Sequence, residues 1–315
     1  MLFNLFTTYR TNFLKRFLIT SFTCLGAIAL NTATTAQNNS SPKIVTTFLP
    51  VHLFTKAVVG DIGEVDILIS PGMEVHDYQA TPDDAKLLAQ ADVLVENGLG
   101  IEEFLSGLVA NAGNSQLQQI NASEGIEVIE EEHDEHEEVE HGHHHEEGNP
   151  HVWLDPVMAQ QQVATIRDGL IAIDPNNADS YRTNADAYIQ QLQQLDNEFQ
   201  QRLAPVAGCN FITFHDAFSY LAQRYGLKQK AIVETPEDSI TPKNIQRAQQ
   251  TASQYQVKAL LTQPGIEDKR IQQISSDLNL PLEAIDPLES GETDPQYYFQ
   301  AMRENLEALS RACQN

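Results

Sequence analysis

The chain has 315 residues and a formal net charge of −25, from 19 basic and 44 acidic side chains. That length is enough for two ordinary cores. The charge argues against nucleic acid and anionic membrane surfaces as partners and favours cations.

In chain order, Arg10, Lys15 and Arg16 precede an apolar run from Phe17 to Leu30, and Thr34-Thr35-Ala36 follows. Basic, then apolar, then small residues is the layout of a secretory signal, with cleavage expected after Ala36. About 14 apolar residues fall short of the roughly 20 that a spanning helix needs. The expectation is a periplasmic or otherwise extracytoplasmic protein. Ser21-Phe22-Thr23 makes a poor lipoprotein signal before Cys24. Cleavage leaves Cys209 and Cys313, an even pair that invites a disulfide in an oxidising compartment.

Past a polar linker, alternation begins. Lys43–Phe48 reads as a strand, Val51–Val59 as a helix and Glu64–Ser70 as a strand. Thr81-Pro82-Asp83-Asp84 is a helix start, with a capping hydroxyl, an early proline and acids facing the dipole. Asp92–Glu96 is a strand, Ile101–Ala110 a helix, and Leu117–Ile120 and Ile126–Ile129 are short extended candidates. The run Glu127–Gly148 then concentrates eleven carboxylates and six histidines, His133, His136, His141, His143, His144 and His145.

From Pro156 to Pro205 the pattern is helical, interrupted near Asp174-Pro175-Asn176-Asn177. In its second part Tyr181, Ala185, Tyr188, Leu192, Leu195 and Phe199 recur every three or four residues, an apolar stripe on one long helix. Alternation then resumes. Asn210–Phe214, Gln229–Val233, Val257–Thr262 and Leu282–Ile285 read as strands, with helices over Asp216–Tyr225, from Thr241-Pro242, over Glu267–Leu278 and over Asp294–Cys313. Strands alternating with helices predict parallel sheets covered on both faces. The expected fold is α/β: two lobes with parallel sheets, joined by one long helix. The expected divisions are a signal over 1–36, a first lobe over 37–177 containing the 127–148 run, a linker helix over 178–204 and a second lobe over 205–315.

Four histidines lie outside the acidic run: His52, His76, His151 and His215. His76 and His215 follow predicted strands, His151 sits in the turn leaving the first lobe, and Asp286 follows Leu282–Ile285. Ligands of open parallel sheets bind where strands end. Three imidazoles and one carboxylate make a tetrahedral set suited to zinc. His52 reads as structural or at the cleft rim, and Trp153 and Tyr78 as packing around the site. Asp77 and Asp216 read as helix caps or as acceptors for imidazole N–H groups.

The motifs Pro71-Gly-x-x-x-His76-Asp-Tyr, Asn149-Pro-His151-Val-Trp-Leu-Asp-Pro156, Phe214-His215-Asp-Ala-Phe and Asp286-Pro-Leu resemble the zinc-uptake solute-binding proteins of bacterial ABC transporters. The resemblance covers the mature chain. It implies two (β/α)4 lobes around an interlobe metal site, with His76, His151, His215 and Asp286 as ligands and Zn2+ as cargo. It further implies an ABC permease with its ATPase subunits as partners and a monomeric carrier. The third ligand is typically glutamate in the manganese and iron relatives, so His215 favours zinc. Zinc-branch proteins often bridge the C-terminal helix to a strand of the second lobe. Cys313 lies where one partner would be, but Val257–Thr262 has no cysteine; Cys209, opening the neighbouring strand, is the substitute. The acidic run also resembles that branch; its six histidines read as weak auxiliary zinc sites, the alternative being a solvated acidic linker that binds metal only incidentally.

Capture and delivery is therefore expected, without covalent chemistry. A zinc hydrolase is the rival of a different class, but no His-Glu-x-x-His helix and no general base accompany the ligands. A manganese or iron carrier, or an adhesin on the same scaffold, is the further alternative.

Overall fold

The computed structural model describes residues 41–129, 148–233, 241–264 and 269–314. The expected signal segment and the six histidines of the acidic run lie outside the described residues. Among the described residues, no helix is long and apolar enough to cross a membrane.

The first sheet contains β1 (Ile44–Thr46), β2 (Val65–Ile67), β3 (Val93–Glu96) and β4 (Gln118–Asn121), all parallel, in the order β2-β1-β3-β4. The second contains β5 (Asn210–Thr213), β6 (Lys228–Ala231), β7 (Ala259–Thr262) and β8 (Leu282–Ala284), all parallel, in the order β6-β5-β7-β8. The two orders are the same when counted from each sheet's first strand. In both, the chain reverses direction across the sheet between the first and third strands, which opens a crevice at their carboxyl ends.

The helices are α1 (Leu49–Val59), α2 (Pro82–Ala89), α3 (Leu105–Ala112), α4 (Pro156–Ile173), α5 (Ala178–Leu203), α6 (Ser219–Arg224), α7 (Pro242–Tyr255), α8 (Lys269–Leu278) and α9 (Tyr297–Gln314). Thr81 and Thr241 each close a capping box, with Asp84 and Asn244 in the answering position. Several helices start later than the pattern predicts, because a side chain turns the chain first. At α9, Asp294 Oδ1 accepts from Gln296 N at 2.8 Å. At α6, Asp216 Oδ1 accepts from the Ser219 hydroxyl. Ile126–Ile129 joins no ladder; Ile129 N donates to the Tyr220 hydroxyl at 3.2 Å.

The stripe on α5 is buried throughout, from Tyr181 to Leu203. It packs on both sides of the molecule. Tyr188 meets Phe54 of α1 at 6.1 Å and Phe299 of α9 at 4.8 Å between ring centroids, and its hydroxyl donates to Pro295 O at 2.9 Å. One apolar core therefore runs from β1 through α5 to Phe211, Ala259 and α9. A smaller cluster under α7 and α8 covers the other face of the second sheet through Ile212, Phe214 and Leu260. Residues 40–315 form one compact unit. Cys209, just before β5, is joined to Cys313 of α9 by a disulfide with Cα atoms 5.7 Å apart.

Candidate metal centre

The segment from Asn149 to Pro156 is hydrogen-bonded on both sides. Asn149 Oδ1 accepts from His151 N and faces His151 Nδ1, each at 3.0 Å. Its Nδ2 donates to Asp216 O at 2.8 Å, on the second-sheet side. Trp153, fully buried, donates from Nε1 to Pro287 O at 2.8 Å, and its carbonyl accepts from Tyr298 Oη at 2.7 Å. Asp155 caps α4 through Val157 N at 2.8 Å and pairs with Arg224 of α6. Each polar residue of the motif thus ties His151 to its surroundings, and the apolar ones fill the core.

Behind this segment lies Glu102. Its Oε1 accepts from Thr47 Oγ1 and Asn97 N, both at 2.7 Å, and its Oε2 from Gly98 N at 3.1 Å. It thereby bridges the exits of β1 and β3, and Asn97 Nδ2 passes the constraint on to Pro150 O at 3.1 Å. Burial pushes the Glu102 carboxyl up to about 7, against the pull of these donors. With a folded-state value above the unfolded one, the native state holds the extra proton between about 4.5 and 7, so stability falls as pH rises through that window. Metal-free protein should gain about 2 kcal/mol relative to its Glu102→Gln variant between about pH 7.5 and pH 5.5. Urea unfolding at the two values checks this, and a constant difference would place the titration elsewhere.

His76 sits in the loop after β2, where Gly72, at φ 87°, donates its N–H to Glu289 O at 3.1 Å. His215 follows β5 and is buried, with its Nδ1 2.9 Å from Gln263 Nε2 at the exit of β7. Burial, reinforced by His76, holds the His215 imidazole down at about 3. It is therefore in the neutral form that ligates metal. Its Nε2 is buried without a hydrogen-bond partner. The three rings converge, with centroids 5.3 Å apart for His76 and His151, 5.2 Å for His151 and His215, and 6.2 Å for His76 and His215.

The fourth convergent group is Glu289. One donor atom from each of His76, His151, His215 and Glu289 lies within 4.8 Å of the others. Tetrahedral zinc with bonds near 2.0–2.1 Å needs donor atoms about 3.3 Å apart, so an inward movement of roughly an ångström completes the shell. Asp286, expected as the fourth ligand, is outside this group. Its Oδ1 accepts from Leu288 N at 2.7 Å and its Oδ2 from Tyr297 Oη at 3.1 Å. The strand-exit rule stopped at the first acid after β8, whereas the chain turns back and presents the acid three residues on. Gln263 was also missed, because an amide carries no metal-ligand signal in sequence.

The remaining expectations divide. His52 is structural: it is buried, pushed down to about 4 by burial, and its Nδ1 faces Thr46 Oγ1 at 3.1 Å. Trp153 packs at 5.0 Å from the His151 ring centroid. Tyr78 packs on Phe104 at 5.0 Å and donates to Asp84 at 2.9 Å. Beside the imidazoles of His151 and His215 stand the amides of Asn149 and Gln263. The Asp216 side chain meets Ser219 at the start of α6.

Residues 44–312 match the profile of the family described as zinc-uptake complex component A, periplasmic (ZnuA). The chain belongs to the ZnuA family. It is 34% identical over 273 residues to the high-affinity zinc uptake system protein ZnuA of Bacillus subtilis, covering 84% of this chain and 86% of that protein. The structure of Zn(II)-bound AdcA from Streptococcus pneumoniae superposes with a TM-score of 0.73 at 30% identity, over 87% of this chain and 58% of AdcA. The chain thus spans little more than half of that longer relative. A laminin-binding adhesin from Streptococcus agalactiae superposes with a TM-score of 0.76 at 29% identity, over 86% of this chain and 99% of the adhesin. ZnuA-family proteins are zinc-binding components of transport systems, not enzymes, and work with ABC permease and ATPase components.

Proposed function

We propose that this ZnuA-family chain captures Zn2+ outside the cytoplasm, between its two sheets, and delivers it to an ABC permease. His76, His151, His215 and Glu289 are the donors of the tight site. The observation that carries this reading is the convergence of three imidazoles and one carboxylate, supplied by loops on both sides of the crevice. Nitrogen donors in a compact shell suit zinc better than manganese. The same convergence favours carriage over metal-independent adhesion. With four protein donors around the ion, no position is left for a catalytic water. The shared core through α5 and the bonds across Asn149, Trp153 and Gly72 favour a small closing movement over wide lobe opening.

The acidic run serves as a set of weak auxiliary sites that concentrate zinc near the crevice. Its flanks are held together, because Asn149 N donates to Ile129 O at 3.4 Å. Removing residues 130–147 should therefore leave the crevice intact. Equilibrium dialysis should show lower zinc stoichiometry after the deletion, with one tight site remaining, and His76→Ala in that background should abolish it. Loss of the tight site on deletion alone would overturn this division of labour.

A further inference from the structure

The proposal that follows rests on Glu289 as the fourth donor and concerns what aims it. Between β8 and Glu289 the chain passes through Asp286, Pro287 and Leu288. Leu288 is fully buried with φ 64°, a left-handed conformation that non-glycine residues adopt only at a cost. Such a turn persists only if its surroundings over-determine it, and here they do. Asn305 of α9 accepts from Asp286 N and donates to Asp286 O, both at 2.7 Å. The Asp286 carboxylate holds Leu288 N at 2.7 Å, and Tyr297 Oη donates to its other oxygen at 3.1 Å. Trp153 Nε1 grips Pro287 O at 2.8 Å from the side of His151. Gly72 N grips Glu289 O at 3.1 Å from the loop of His76. The loop bearing the carboxylate donor is thus bonded to the segments bearing two of the imidazole donors.

From this geometry we infer that Asp286 is a positioning residue and not a ligand: its carboxylate, with Asn305, fixes the left-handed turn at Leu288 that presents Glu289 to the metal. An Asp at this position is used as a backbone acceptor, a job that an asparagine oxygen does equally well. A metal-bound carboxylate has no such neutral substitute.

The test uses the full chain, with zinc affinity measured against a competing chelator and the visible spectrum recorded after one equivalent of Co2+. Asp286→Ala should weaken zinc by roughly 10–100-fold, the usual effect of losing an outer partner, and should alter the Co2+ bands. Asp286→Asn should restore both, staying within about threefold of the parent, while Glu289→Gln does not. Where Asp286→Ala fails to fold, Asn305→Ala cuts the same loop from α9 and should reproduce its loss and spectral change. An Asp286→Asn variant as weak as Glu289→Gln would make Asp286 a ligand. Parent-like affinity and spectrum in Asp286→Ala would leave it no positioning role. Either result overturns the inference while leaving zinc carriage intact. A Glu289→Gln variant with unchanged affinity would instead defeat the four-donor reading beneath it.

Discussion

Replacing His215 with Glu should lower the zinc-to-manganese affinity ratio by roughly one to two orders of magnitude. The imidazole is buried and neutral, and its Nε2 makes no hydrogen bond that a metal would have to break. A glutamate there would face Glu289, giving two carboxylates in a crevice that now holds one. A harder, anionic oxygen donor that can bind through both oxygens suits manganese, which favours carboxylate and higher coordination. Zinc remains the tighter ion in absolute terms, since intrinsic affinities favour it at most sites. The measurement is competitive titration of the protein lacking residues 130–147, with and without His215→Glu, so that auxiliary sites do not mask the change. An unchanged ratio would mean that His215 does not touch the metal.

Removing the disulfide should cost a substantial part of the protein's margin of stability. Cys209 and Cys313 are 104 residues apart in sequence, and a closed loop of about 100 residues corresponds to about 4.7 kcal/mol in the chain-entropy description, an upper value. For a chain of this size that is a fall in Tm on the order of 10–15 °C. Partial exposure of Cys209 beside a buried Cys313 means that serine at both positions adds little further polar burial cost. Thermal unfolding of metal-free protein, with and without the paired Cys209→Ser and Cys313→Ser changes, gives the shift. Two free thiols in the oxidised parent would remove its cause.

Where local chemistry was decisive, the sequence was a sufficient guide. The capping boxes at Thr81 and Thr241 form as their residues dictate, because a cap bonds only to its own first turn. The α5 stripe is buried at every expected position, because a 3.6-residue repeat fixes one face whatever it packs against. Helix starts were less secure. Glu102 lies within the helix predicted over Ile101–Ala110, yet α3 begins at Leu105 and Glu102 reaches back to Thr47 and Asn97. A long-range bond of that kind overrides propensity and leaves no local trace.

The sequence by itself determined the α/β alternation, the long helix, and three imidazoles as candidate ligands, since histidine carries its metal chemistry wherever it stands. Only the tertiary structure decided the strand order of each sheet, which places the crevice between the exits of β1 and β3 and between those of β5 and β7. Only it brought Glu289 to the imidazoles and turned Asp286 towards Leu288, Tyr297 and Asn305. Two acids three residues apart are chemically alike as sequence. The left-handed turn at Leu288, held from both sides of the crevice, decides which of them faces the three imidazoles.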